Sequence, residues 1–231
     1  MKEKYLSLAF ILFATFIYGQ CDPNDTITLK GSATICQGET TNLILSNTIV
    51  AAEYQLNDGT SDIGDVILGT GADIYLPVNP SVTTTYNIKS SVTCSTQFTY
   101  TSTTTVTVNP TPDVTATNDE QIICSGENID DITFSGNVTG TAYNWTRNTI
   151  PGITGIGTSG TGTISGALSN TTNAPIDVIF TITPTADSCD GASIQATVTV
   201  NPTPDVTATN DEQIICSGEN IDDITFSGNV T

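Results

Sequence analysis

Apolar and polar residues alternate at period two in short bursts along most of the chain. In the first half the bursts are residues 26–29, 43–45, 54–56, 86–88 and 105–108; in the second they are 113–117, 129–134, 142–147, 176–183 and 193–200. In an extended strand, successive side chains point to opposite faces, so each burst predicts a strand with one face in a core. Ile176, Val178, Phe180 and Ile182 share one such face. Turn residues separate the bursts, among them Asn57-Asp58-Gly59 and Asn79-Pro80-Ser81. No segment sustains a helical period with capping residues. Strands at roughly ten-residue spacing, a Trp in mid-unit and flanking cysteines predict antiparallel β-sandwiches. Trp145 and Tyr143, two residues apart on one face, are placed in the core.

Residues 105–139 return letter for letter as 197–231, an offset of 92. Repetition at that scale means an array of domains. The chain divides accordingly into 20–110, 111–202 and 203–231, the last being the truncated start of a further repeat, about a third of a sandwich and not expected to fold alone. Each junction carries the same Val-Asn-Pro-Thr-Pro, at 108–112 and 200–204. Its two prolines interrupt strand pairing and stiffen the link.

Composition then adds direction. Lys2, Glu3 and Lys4 precede an apolar run at 6–18 that is too short for a membrane span of roughly 20 residues but suits a secretory signal peptide, 1–19, with cleavage after Gly19 and Gln20 free to cyclise. Cleavage before Cys21 with lipid attachment is the rival. Without the signal, Lys30, Lys89 and Arg147 stand against 23 acids (24 less Glu3), so the charge of 3 less 23 is −20. Such a chain repels nucleic acid, which needs clustered Lys and Arg, and it does not span a membrane once the signal is gone. There is no histidine, which removes the commonest general base.

Six cysteines mark the phase of the repeats. Cys36 in Ile-Cys-Gln-Gly-Glu matches Cys124 in Ile-Cys-Ser-Gly-Glu, and each is followed by one late cysteine, Cys94 and Cys189. The expected bridges are Cys36–Cys94 and Cys124–Cys189, persistent in an exported protein. Cys216 is left over, and Cys21 has no assigned role.

The motif ICxGE, then Tyr143-Asn144-Trp145, a late cysteine and a closing TVTVNPTP resemble the immunoglobulin-like and PKD-like repeats of large bacterial surface proteins, above all those exported by the type IX system of gliding bacteria. Residues 111–202 resemble a PKD-like repeat, and 20–110 match more loosely as Ig-like. The WDFGDG signature of PKD domains is replaced by Trp145-Thr146-Arg147-Asn148. The resemblance implies a fold class of all-β, tandem Ig-like and PKD-like sandwiches in an exported, non-enzymatic spacer or adhesin stalk. Its partners would be surface polysaccharide or protein ligands. The alternatives are a glycan-binding module and the accessory domains of a larger secreted hydrolase.

Little chemistry remains to assign. Gly155-Ile156-Gly157-Thr158-Ser159-Gly160 spells GxGxxG, but the Gly- and Thr-rich sequence after it offers no helix, so dinucleotide binding is rejected. Asp58, Asp62 and Asp65, with a second group at Asn118, Asp119, Glu120, Asp130 and Asp131, are weak calcium candidates. Calcium takes six to eight oxygens, neither group matches the DxDxDG loop, and solvated turns are the preferred reading. No other cofactor is expected. Asn-x-Thr triplets at 24, 137, 144 and 170 are read as coincidence, and Asp25-Thr26-Ile27 resembles a short bacterial O-glycosylation acceptor.

Overall fold

The structure is a computed structural model describing residues 26–90 and 97–228. The signal segment, Cys21 and Cys94 lie outside the described residues. Chain contacts separate two units between Asn109 and Pro110.

The first unit contains β1 (Thr28–Lys30), β2 (Ala33–Cys36), β3 (Thr41–Ser46), β4 (Glu53–Asn57), β5 (Asp62–Leu68), β6 (Ile74–Val78), β7 (Thr84–Ser90) and β8 (Thr99–Asn109). They form two sheets, ordered β1-β3-β6 and β2-β8-β7-β4-β5. Leu43, Leu45, Tyr54, Ile88 and Val106 fill the space between them. Burying Tyr54 leaves its hydroxyl to be satisfied, and the oxygen accepts the Ile49 amide at 3.0 Å.

The second unit contains β9 (Thr115–Ala116), β10 (Glu120–Cys124), β11 (Phe134–Ser135), β12 (Ala142–Arg147), β13 (Ile153–Gly155), β14 (Ser159–Thr161), β15 (Leu168–Asn170), β16 (Ile176–Ala186), β17 (Cys189–Asp190) and β18 (Ile194–Asn201). One sheet runs β10-β18-β16-β12-β14, with β17 paired to β16. The facing layer is made of short pieces: the pairs β9/β11 and β13/β15, and single bridges joining Asn128 to Ala167 and Ile132 to Ile164. Val178, Phe180 and Ile182 alternate inward along β16 and are fully buried. Beyond Asn201, β19 (Val206–Thr209) and β20 (Thr225–Gly228) pair only with each other.

The fold is all-β, and among the described residues no helix occurs. The strands expected at 142–147, 176–183 and 193–200 are β12, most of β16 and β18. One departure from the antiparallel expectation recurs in both units. β2 runs parallel to β8, and β10 runs parallel to β18, each at a sheet edge. Ile122-Ile123 and Thr34-Ile35 carry only one or two apolar residues, too few for periodicity to register as a strand.

Candidate functional site

The cysteine turns are the most distinctive local structures, and the motif C-x-G-E explains itself physically. Glu39 caps the turn by accepting the Cys36 amide at 2.9 Å, while the Glu39 amide donates to the Cys36 carbonyl at 3.0 Å. Glu127 and Cys124 repeat this at 3.0 and 3.1 Å. Gly38 and Gly126, at φ 92° and 90°, take the left-handed position that such a turn demands. Each turn is tied to the end of its unit's last strand: the Gln37 amide donates to Asn109 and the Ser125 amide to Asn201, both at 2.9 Å. The turn cysteines therefore sit beside the residue where the chain leaves the unit.

Cys189 occupies a different place. Asp187 and Ser188, at φ 48° and 66°, make a two-residue hairpin turn of the I′ kind, which sets Cys189 opposite Ala186. Cys36 and Cys189 are each disulfide-bonded, whereas Cys124 and Cys216 are free thiols and exposed. The expected Cys124–Cys189 bridge is therefore corrected. Register explains why: Cys124 stands beside Asn201, at one end of β18, and Cys189 lies past Ile194, at the other. Seven strand residues span about 23 Å, against a Cα separation of no more than about 7 Å in a disulfide. The expected Cys36–Cys94 bridge involves a cysteine outside the described residues.

The calcium candidates do not converge. Asp58 heads the β4–β5 hairpin turn, where one carboxylate oxygen accepts the Ser61 amide at 2.7 Å and the Thr60 amide and hydroxyl at 2.9 and 2.8 Å. These bonds, that from Ser61 foremost, hold its carboxyl below the ordinary value. Asp62 accepts from the Asn57 amide group at 2.8 Å and from the Lys89 ammonium at 3.1 Å, and it too is lowered, chiefly by Asn57. Asp65 lies three residues along β5, past Gly64 (φ 65°) and within the register shift of the β4/β5 pairing. At the second candidate, amides and not carboxylates join the loops: Asn118 donates to the Asp131 carbonyl, and Gln121 both donates to the Asp130 carbonyl and accepts the Asp130 amide. Among the described residues no three acids or thiols gather into a metal-binding group.

Trp145 is buried, edge-on to Phe180 with ring centroids 5.8 Å apart, and its indole nitrogen donates to the Gly162 carbonyl at 3.1 Å. Tyr143 is half-buried and packs on Phe134 at 5.6 Å. The glycine run has its explanation here. Gly160 lies opposite Trp145 across the β12/β14 pair, and a β-carbon added to it would come within 2.3 Å of the indole. One at Gly155 would come within 2.1 Å of the Ala167 carbonyl oxygen. Two of the glycines that spell a nucleotide fingerprint thus make room for an indole ring and for a neighbouring strand's backbone. Arg147 donates through Nε to the carbonyls of Ile156 and Gly157, at 2.8 and 3.2 Å, and through Nη1 to that of Asn148 at 3.0 Å. Two of these bonds hold the loop before β14.

Residues 121–204 match the family model of a PKD-like domain. No curated protein matches the chain. Among solved structures, the IG1+IG2 pair of DIP-gamma is similar over 76% of this chain and 97% of its own, at 10% identity and a TM-score of 0.42. The N-terminal Ig1-2 module of the Drosophila receptor protein tyrosine phosphatase DLAR covers 77% of this chain and 98% of its own, at 9% identity and a TM-score of 0.28. Sidekick-1 immunoglobulin domains 1-4 cover 77% of this chain and 49% of their own, at 11% identity and a TM-score of 0.37. The sheet topology makes both units all-β, and residues 121–204 of the second are similar to a PKD-like domain.

Proposed function

We propose that the chain is an exported, non-enzymatic spacer: repeats of a bacterial surface adhesin that hold other domains away from the cell. The observation that carries this reading is the position of the chain ends within the second unit. Pro112, near its start, lies against Gly191, while its last strand residue, Asn201, lies at the far end of β18 beside Cys124. Eight strand residues separate those ends by about 25 Å. A unit met at one end and left at the other contributes its full length to an array, which is what a spacer needs. The absence of histidine from the sequence and the charge of −19 support the same reading, the second by opposing collapse of neighbouring chains onto one another. The apolar run at 6–18 supports export.

Small-angle scattering of the whole secreted chain tests the proposal. A skewed pair-distance distribution with a long tail is expected. A symmetric, bell-shaped distribution would overturn the spacer reading.

A further inference from the structure

Register gathers four polar side chains on one face of the larger sheet in the first unit. Asn57 on β4 stands opposite both Asp62 on β5 and Asn87 on β7, and Lys89 is the diagonal neighbour of Asn57, two residues further along β7. Diagonal partners lie within reach of a long side chain. An ion pair between Lys89 and Asp62 would by itself mean little, since exposed pairs add little to stability.

The carboxamide of Asn57 sets this group apart from such a pair. Asn57 is 1% exposed, and both ends of its amide are engaged. The oxygen accepts the Gly59 amide at 2.8 Å and the Asn87 side-chain amide at 3.5 Å. The nitrogen donates to Asp62 Oδ1 at 2.8 Å, and that same oxygen accepts from Lys89 Nζ at 3.1 Å. Hydrogen bonds from Asn57 first and Lys89 second hold the Asp62 carboxyl below its ordinary value, so it stands ready as a proton acceptor at neutral pH. An amine, a polarised carbonyl and a carboxylate that touches both nitrogens are the parts of an acyl transfer: nucleophile, oxyanion donors and proton carrier.

We infer that Lys89 and Asn57 join in an isopeptide bond, which links β4 to β7 through their side chains within the first unit. Asp62 takes a proton from the Lys89 ammonium, and the lone pair this frees forms a bond from Nζ to Cγ of Asn57. The carbonyl electrons move onto Oδ1, against the N–H groups of Gly59 and Asn87. As they return, the bond from Cγ to Nδ2 breaks. Two protons pass in all from Nζ to Nδ2 by way of Asp62, which ends as the carboxylate it began as, and the freed nitrogen departs as ammonium carrying the charge of Lys89. The Lys89 and Asp62 side chains, 27% and 46% exposed, border its way out. Asn87 Oδ1 is buried with no donor among the described residues, and the N–H of the new amide would supply one. The reaction runs once per molecule, so holding the groups together takes the place of fast turnover. The inference stands on the geometry of the first unit, and failure of the spacer reading would leave it untouched.

Trypsin reads the link directly, because it does not cut after a lysine whose amine is acylated. The whole chain is denatured, reduced, alkylated and digested. Without the link, residues 31–89 and 90–147 are released as separate peptides. The expected product is a single 31–147, lighter than its alkylated sequence by one ammonia; it excludes Gln20, whose cyclisation would lose the same mass. Separate peptides at their sequence masses would overturn the inference. So would a 31–147 lighter by one water, which would place the bond at Asp62. Asp62→Asn keeps the size of the side chain but cannot carry the proton, so 31–89 and 90–147 should reappear. An undiminished yield of linked peptide in that variant would overturn the mechanism, and the native digest decides the bond whether or not the variant folds.

Discussion

Residues 111–139 and 203–231 are the same 29 letters in two surroundings. In the first copy Val114, Ile129 and Ile132 are 8%, 5% and 0% exposed; in the second their counterparts Val206, Ile221 and Ile224 are 68%, 60% and 41% exposed. Yet much of the local geometry is unchanged. Asn210 donates to the Asp223 carbonyl at 3.0 Å as Asn118 does to that of Asp131, and Gln213 joins Asn210 and Asp222 as Gln121 joins Asn118 and Asp130. Glu219 still caps the Cys216 turn. β19 and β20 keep the Thr207–Ser227 register of Thr115–Ser135. What disappears is β10. Residues 212–216 form no strand, because the parallel partner that β18 supplies to 120–124 has no counterpart beside them. A hollow of about 370 Å³ lined by Gln213, Ile214, Ile215, Glu219, Asn220 and Asp222 opens there. In the complete repeat, the backbone of 166–168 bonds to the matching segment through Gly126, Glu127 and Ile129.

The comparison separates two kinds of instruction in one sequence. Turns and caps spanning up to about twenty residues are written into the 29 letters themselves. Burial is not: it belongs to residues 140–202, which only the first copy has beside it. Hydrogen exchange should show the largest contrast. The amides of Gly126, Ile129 and Ile132, bonded to the carbonyls of Leu168, Gly166 and Ile164, should exchange at least about a thousandfold more slowly than those of Gly218, Ile221 and Ile224, since they open only with the core. Equal rates would mean that the second copy is structured on its own, and the lesson would fail.

Mutation sharpens the same contrast at a smaller scale. Ile132→Ala should cost about 2–5 kcal/mol in denaturant unfolding of the second unit, read through the fluorescence of Trp145, the only tryptophan. Ile224→Ala should stay within about 0.5 kcal/mol by the same measurement. A similar loss at both sites would show that burial does not distinguish the copies.

The smallest effect extends the distinction between local and distant instruction to the first unit, where the Asp58 turn is also held by near neighbours. Asp58 and Asp62 both have folded values below the ordinary 3.8. Groups lowered by folding contribute stability at pH above their unfolded value, and that contribution is lost as pH falls through the folded one. Thermal unfolding of the first unit should therefore weaken slightly below about pH 4, and Asp58→Asn should blunt the change. An unaltered acid profile in that variant would deny the turn its role.

Legibility in the sequence followed the same division. β12, β16 and β18 could be read because each alternates over six or more residues with one wall in the core. β2 and β10 could not, since an edge strand paired on one side shows little alternation, and a parallel partner 73 or 77 residues away leaves no local trace. The cysteine motif was legible as a marker of phase but not as a pairing. Spacing suggested a bridge within the second repeat, and register placed Cys124 and Cys189 at opposite ends of β18. The glycines at 155 and 160 are explained only by what approaches them, the Ala167 carbonyl and the Trp145 ring.

The use to which Arg147 is put reaches beyond its own loop. Its guanidinium is turned onto main-chain oxygens and Lys89 is engaged with Asp62, and with Lys30 they are the three cations beyond residue 4, so the carboxylates far outnumber them. Many such chains grafted side by side would form a polyelectrolyte brush, swollen in fresh water and shortened at ionic strengths where screening falls to about 8 Å or less. The height of the layer would then be set by the medium as well as by the number of repeats.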